Sequence, residues 1–256
     1  MLTGDPMIGF AMLASLIFEP AQDWLVSPKG KATVVSKGNV LTIQNDLVSR
    51  TFRLQPNLAC QSLVNKVTGE EMIRAVKPEA VLKLGGKDIA VGGLQGQPNL
   101  AFLTPEWLNK MSVIPGSFEY RGYSSNAIRP RMDWGAYNAF AGGKTSGSWP
   151  PKGIEVVFKF ENPSMAGIEV EVHYELYDSL PLFGKWVTVR NTSQTPLRLD
   201  TYSHALALVE AESIVDDSDE CERPDVTSVS DSNFGSMTPQ NSNTTIYWET
   251  GYASQT

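Results

Sequence analysis

Cysteine and histidine are scarce in this chain, with two of each among 256 residues. Cys60 and Cys221 stand far apart and no C-x-x-C occurs, which excludes zinc clips and dithiol redox motifs. Cys60 falls in an apolar run and reads as a small buried hydrophobe, while the acidic residues around Cys221 disfavour its thiolate. Whether the two pair is open at this level. Clusters of basic charge are missing as well. The 21 Lys and Arg are outnumbered by 28 Asp and Glu, giving a net charge of -7. Phosphate recognition needs concentrated Lys and Arg, so nucleic acid is excluded as a main partner. No apolar run reaches the length of a membrane-spanning helix. The longest, Met7–Phe18 (MIGFAMLASLIF), fits a signal segment or an apolar N-terminal arm. Residues 1–29 are therefore set apart from a single domain over 30–256, and both export (periplasmic or extracellular) and a cytoplasmic location stay open. The motifs G-x-G-x-x-G, H-E-x-x-H and G-x-S-x-G and the P-loop are all absent, and no catalytic residue, metal ligand or cofactor is assigned.

What the sequence does contain is a succession of short β-branched runs. KATVVS, VLTIQ and LVSRTFRL follow one another across Gly38-Asn39 and Asn45-Asp46, and ACQSLVNKVTGEEMI continues the meander through a Thr68-Gly69 turn. AVLKL and DIAVGGL flank Gly85-Gly86, a two-residue hairpin signal. Alternation is strictest in IEVEVHYELY. There Ile168, Val170, Val172, Tyr174 and Leu176 face one way, and Glu169, Glu171, His173 and Glu175 the other. With IEVVFKF before it, this predicts a half-buried antiparallel pair whose Glu face, His173 included, meets solvent. KWVTVRN and PLRLDTYSHALALVE are expected to extend the same sheet. The 16 Pro and 21 Gly suit many short elements, and the fold class is all-β.

Residues 95–150 break the pattern. Prolines, the stretch AGGKTSGSWPP, and Trp107, Tyr120, Tyr123, Trp134, Tyr137, Phe140 and Trp149 scattered without a clean period mark an aromatic-rich insertion. Thr104-Pro105-Glu106-Trp107 predicts a short helix with a threonine cap and proline at its first position. A flat aromatic face stacks on pyranose C–H groups while charged and amide side chains bond hydroxyls. Trp134, Tyr137 and Trp149, with Arg131 and Asp133, are on that basis the candidate sugar-binding residues; the alternative is that these aromatics anchor the loop.

Other constellations read as structural. Ser203 and His204 are strand neighbours pointing to opposite faces, which excludes a nucleophile–base pair. Glu210, Glu212 and Asp216–Glu220 supply carboxylates, but a charge run of this kind is a solvated loop and lacks calcium-loop spacing. Asn191-Thr192-Ser193 and Asn243-Thr244-Thr245 match the glycosylation sequon.

NDLVSRTFRLQPNLACQSLVNKVTGEEMI, KPEAVLKLGGKDIAVGGL and VEVHYELYDSLPLFGKWVTVRNTSQTPLRLD together resemble the N-terminal sandwich of α-galactosidase-type (melibiase-like, family 36-related) glycoside hydrolases. The resemblance runs over roughly residues 30–215. It implies an antiparallel supersandwich of the galactose mutarotase-like kind, preceding a catalytic barrel in the same polypeptide and supporting it. It implies no catalytic residue on this domain and a possible carbohydrate ligand. A stand-alone mutarotase-like enzyme and a structural or assembly domain are the competing readings.

Overall fold

The computed structural model describes residues 30–100, 102–131, 150–204, 208–209, 227–229 and 247–249, with side chains through residue 200. Five strands run as an antiparallel meander in chain order: β1 (Thr33–Lys37), β2 (Val40–Gln44), β3 (Val48–Arg53), β4 (Ala59–Asn65) and β5 (Glu70–Glu71). Leu41 and Ile43 on β2 and Phe52 on β3 are fully buried, as period-two alternation demands of a half-buried sheet. The corner between β2 and β3 is built by Asn45. Its Oδ1 accepts from the N–H groups of Leu47 and Val48, and its amide donates to the carbonyls of Tyr177 and Leu180 at 3.0 and 2.7 Å. One buried side chain thus makes the turn and ties it to residues more than 130 positions further along.

β6 (Ile73–Ala75), β7 (Ala80–Leu84) and β8 (Lys87–Val91) follow, the last two forming the hairpin around Gly85-Gly86. β9 (Leu94–Gln95) pairs with β10 (Ser112–Val113), and between them lies α1 (Pro105–Lys110). Thr104 caps that helix by accepting from Trp107 N–H, with proline in the first turn, as the sequence predicts.

The second large sheet is four-stranded, in the order β11 (Glu119–Ala127), β12 (Gly153–Glu161), β13 (Ile168–Tyr177), β14 (Phe183–Asn191). Strand β11 lies inside the stretch 95–150 that reads from sequence as an aromatic-rich insertion without a clean period. A β-bulge at Arg121 shifts the register, so Tyr120 pairs with Phe160 while Tyr123, three residues on, pairs with Phe158. Both tyrosines then share the face of Phe158 and Phe160, Tyr120 half-buried and Tyr123 exposed at its margin, and a spacing of three hides a strand from a period-two test.

β15 (Leu199–His204) corrects a sequence-based expectation. It does not extend the sheet of β14 but crosses to pair with β7, giving a three-stranded sheet in the order β15-β7-β8. β16 (Leu208–Val209) pairs with β6, and β17 (Thr227–Val229) with β18 (Tyr247–Glu249). Where β15 meets the hairpin of β7 and β8, Asp200 Oδ2 accepts from Gly86 N–H at 2.7 Å. The side chain of His204 lies outside the described residues.

The architecture is an antiparallel β-sandwich, with a core filled from both layers. Phe52 of the meander meets Phe158 and Tyr174 of the four-stranded sheet at ring-centroid distances of 4.9 and 5.2 Å, all three rings buried. Aromatic contacts of this kind add about 0.5–1.5 kcal/mol each beyond burial. Cys60 is a free thiol in this core, and burial pushes its pKa up, in keeping with a structural role.

Candidate functional site

Two polar clusters stand out, one on each face of the four-stranded sheet. The interior one starts from Tyr174 and Lys185, which are directly opposed across β13 and β14. Both point into the core, where Lys185 Nζ donates to Glu79 Oε2 and to Glu79 backbone O, each at 2.7 Å. Tyr174 donates its hydroxyl to the same carboxylate oxygen. Arg50 of β3 brings its guanidinium over the Tyr174 ring, 4.9 Å from the centroid, and is itself buried.

Burial alone would raise the Glu79 carboxyl. Lys185 and Arg50 outweigh that and hold it below the ordinary carboxylate range. Burial pushes the Lys185 ammonium down, which Glu79 offsets in part. Burial also drives Tyr174 well above the usual phenol value, so it stays a donor. Perturbed groups of this kind mark functional sites in clefts. Here the side chains of Glu79 and Lys185 are 2% and 6% exposed. Too little of either reaches solvent to meet a substrate, so the cluster acts as a clamp between layers.

The outer face is different. Its rows are set by register: Val157, His173 and Trp186 lie side by side, as do Lys159, Glu171 and Thr188, and Glu155, Glu175 and Gly184. His173 Nδ1 is 3.1 Å from Glu155 Oε1, and its Nε2 is 3.1 Å from Thr188 Oγ1 and 3.7 Å from Glu171 Oε2. Its ring stacks on the Trp186 indole at 4.7 Å with 10° between planes. Arg131 places its guanidinium 4.3 Å from the Trp186 ring centroid and its Nη2 3.5 Å from Glu175 Oε2. Tyr177 donates to that same Glu175 oxygen at 2.7 Å, and burial, then Glu175, pushes the phenol up to about 12.

This corrects the expectation that the Glu face simply meets solvent. Glu175 is buried, and the His173 side chain keeps 13% of its exposure. The alternation is right, but cover comes from Trp186 and Arg131, which belong to other segments. Of the candidate sugar residues, Arg131 sits on this face; Asp133, Trp134, Tyr137 and Trp149 lie outside the described residues, as do Cys221 and the carboxylates from Glu210 onward. Sequence reasoning missed Trp186. Its signal was available, because KWVTVRN pairs with IEVEVHYELY and Trp186 must then stand beside His173. Among the described residues no group of three or more His, Cys, Asp or Glu side chains is arranged to hold a metal ion, and no helix is long and apolar enough to cross a membrane.

No family model matches the chain, and neither the curated proteins nor the solved structures contain a match to it.

Proposed function

We propose that the chain is a non-catalytic β-sandwich module of a carbohydrate-active protein, of the supersandwich, mutarotase-like kind that precedes a catalytic barrel in α-galactosidase-type hydrolases. The outer face of β12–β14 is its glycan contact. The observation that carries this reading is the convergence of His173 and Arg131 on the half-buried Trp186 indole, with Arg131 held in turn by Glu175. With His173 and Arg131 already against the indole, what the face offers a pyranose is fixed hydrogen-bonding groups beside an apolar ring edge. Glu175 is locked by Tyr177, and Arg131 remains 38% exposed, leaving guanidinium N–H groups for hydroxyls.

Tryptophan fluorescence titrated with galactosides tests the reading. Saturable binding in the wild type, weakened several-fold in Trp186→Phe and Arg131→Ala, is the expected result. No saturable change up to millimolar sugar would overturn it.

A stand-alone mutarotase-like enzyme is the second reading, favoured by the Glu155–His173 pair at 3.1 Å, since such chemistry needs a His and a Glu flanking an open sugar ring. Against it, Glu155 and Thr188 engage both His173 nitrogens, leaving neither for a sugar. Polarimetry should therefore find no catalysed anomer interconversion; turnover abolished in His173→Ala would reverse the order of the two readings.

A further inference from the structure

We infer that His173 is a proton-operated control on ligand binding at Trp186, a regulation of the face assigned above that takes its ligand class from that assignment. Every group facing the imidazole takes part. From β12 come Glu155, bonded to Nδ1, and Val157, directly opposite; Lys159, one row away, reaches Glu171 at 4.0 Å. From β13 come Glu171 and, in the next row, Glu175. From β14 come Thr188 on Nε2 and Trp186 stacked on the ring. Arg131 reaches the same indole from the segment after β11.

With the ring neutral, Nδ1–H donates to Glu155 and Nε2 accepts from the Thr188 hydroxyl. Arg131 is then the one cation on the indole among the described residues, tethered by Glu175. Histidine is the side chain that ordinarily changes charge between pH 5 and 8. Adding a proton makes Nε2 a donor, and the oxygens before it are Thr188 Oγ1 and Glu171 Oε2. Glu171 is drawn toward the ring and away from Lys159. The indole now has two cations against it, imidazolium at the stacking distance and guanidinium at 4.3 Å. Their repulsion weakens Arg131's seat, and Arg131 is the exposed donor offered to the ligand. Acid therefore lowers affinity for sugar.

Protonated imidazole quenches indole emission by contact, so the switch can be read with and without ligand. Emission of the whole chain is followed between about pH 8 and about pH 5.5, above the range where ordinary carboxylates titrate. The wild type, His173→Gln and Trp186→Phe are compared, and galactoside is titrated at both ends. The expected result is a quenching step in the wild type that both variants lack, with sugar affinity about three-fold weaker at the acid end in the wild type alone. Should Trp186→Phe fold poorly, His173→Gln carries the comparison, since glutamine keeps hydrogen bonding without a titratable ring. Absence of a His173-dependent step overturns the switch whatever the sugar does. A step with equal affinities at both ends overturns the coupling. A step with no sugar binding at either pH overturns the control of binding and the carbohydrate reading together, while leaving the protonation of the stack established.

Discussion

Lys185 spends one ammonium on two oxygens of Glu79, the backbone carbonyl and the carboxylate, both at 2.7 Å. The carboxylate also carries Tyr174 and answers the charge of Arg50. Glu79 is thus the hub, and the two partners of the ion pair are not equivalent. Glu79→Gln sets two buried cations without their carboxylate and should cost about 3–5 kcal/mol. Lys185→Met leaves Glu79 with Arg50 and Tyr174 and should cost clearly less. Urea denaturation of the two variants checks the order; equal losses would show that Arg50 does not depend on Glu79.

The same carboxylate sets an acid limb. Its pKa in the folded state is depressed, so the stability it contributes is fully present above the unfolded carboxylate value and is lost as pH falls through the folded one. Thermal midpoints of the wild type should fall steeply below about pH 4, and those of Glu79→Gln should start lower and fall less. Parallel curves would assign the acid sensitivity to other groups.

Deleting Arg121 should be worse than truncating it. Arg121→Ala removes exposed ion pairs to Glu119 and Glu161 at 3.1 and 3.3 Å and should cost under about 1 kcal/mol. Deletion removes the bulge, so Tyr120 and Tyr123 can no longer share the face of Phe160 and Phe158, and should cost about 2 kcal/mol. Denaturant midpoints of the pair decide it.

Asn45→Ala breaks four hydrogen bonds of a buried side chain. Backbone groups at two distant corners lose their partners, at a cost of about 3 kcal/mol. Hydrogen exchange should rise at Leu47 and Val48, the N–H groups that Asn45 holds.

The strands that sequence alone reveals are those whose neighbours are local. Ile168–Tyr177 and the meander obey period two, and the capped helix at Thr104 announces itself. β11 was hidden because its bulge puts Tyr120 and Tyr123 three apart. The partner of β15 was hidden because pairing with β7 spans more than a hundred residues, and periodicity carries no record of which edge a strand will meet. The site was less legible than the fold. Arg50 shares the row of Val48 and Phe52, and Lys185 that of Phe183 and Val187, so alternation places both on the apolar side, but it does not name Tyr174 and Glu79, which satisfy them there. His173 was placed on the correct face, yet its degree of cover depends on Trp186 and Arg131.

The Lys185–Glu79 bond joins the four-stranded sheet to a residue that precedes the β7 hairpin, and so bears on how the domain assembles. A nascent chain extending only through β8 would hold Glu79 with no ammonium to meet it, and burying that carboxylate must wait until β14 arrives. Folding is therefore governed by long-range closure and belongs with the slow, non-local class of β-proteins. Cleavage between β11 and β12 should yield two fragments that are each unstructured alone, and that recover the native fold when mixed, with Lys185 finding Glu79 across the break.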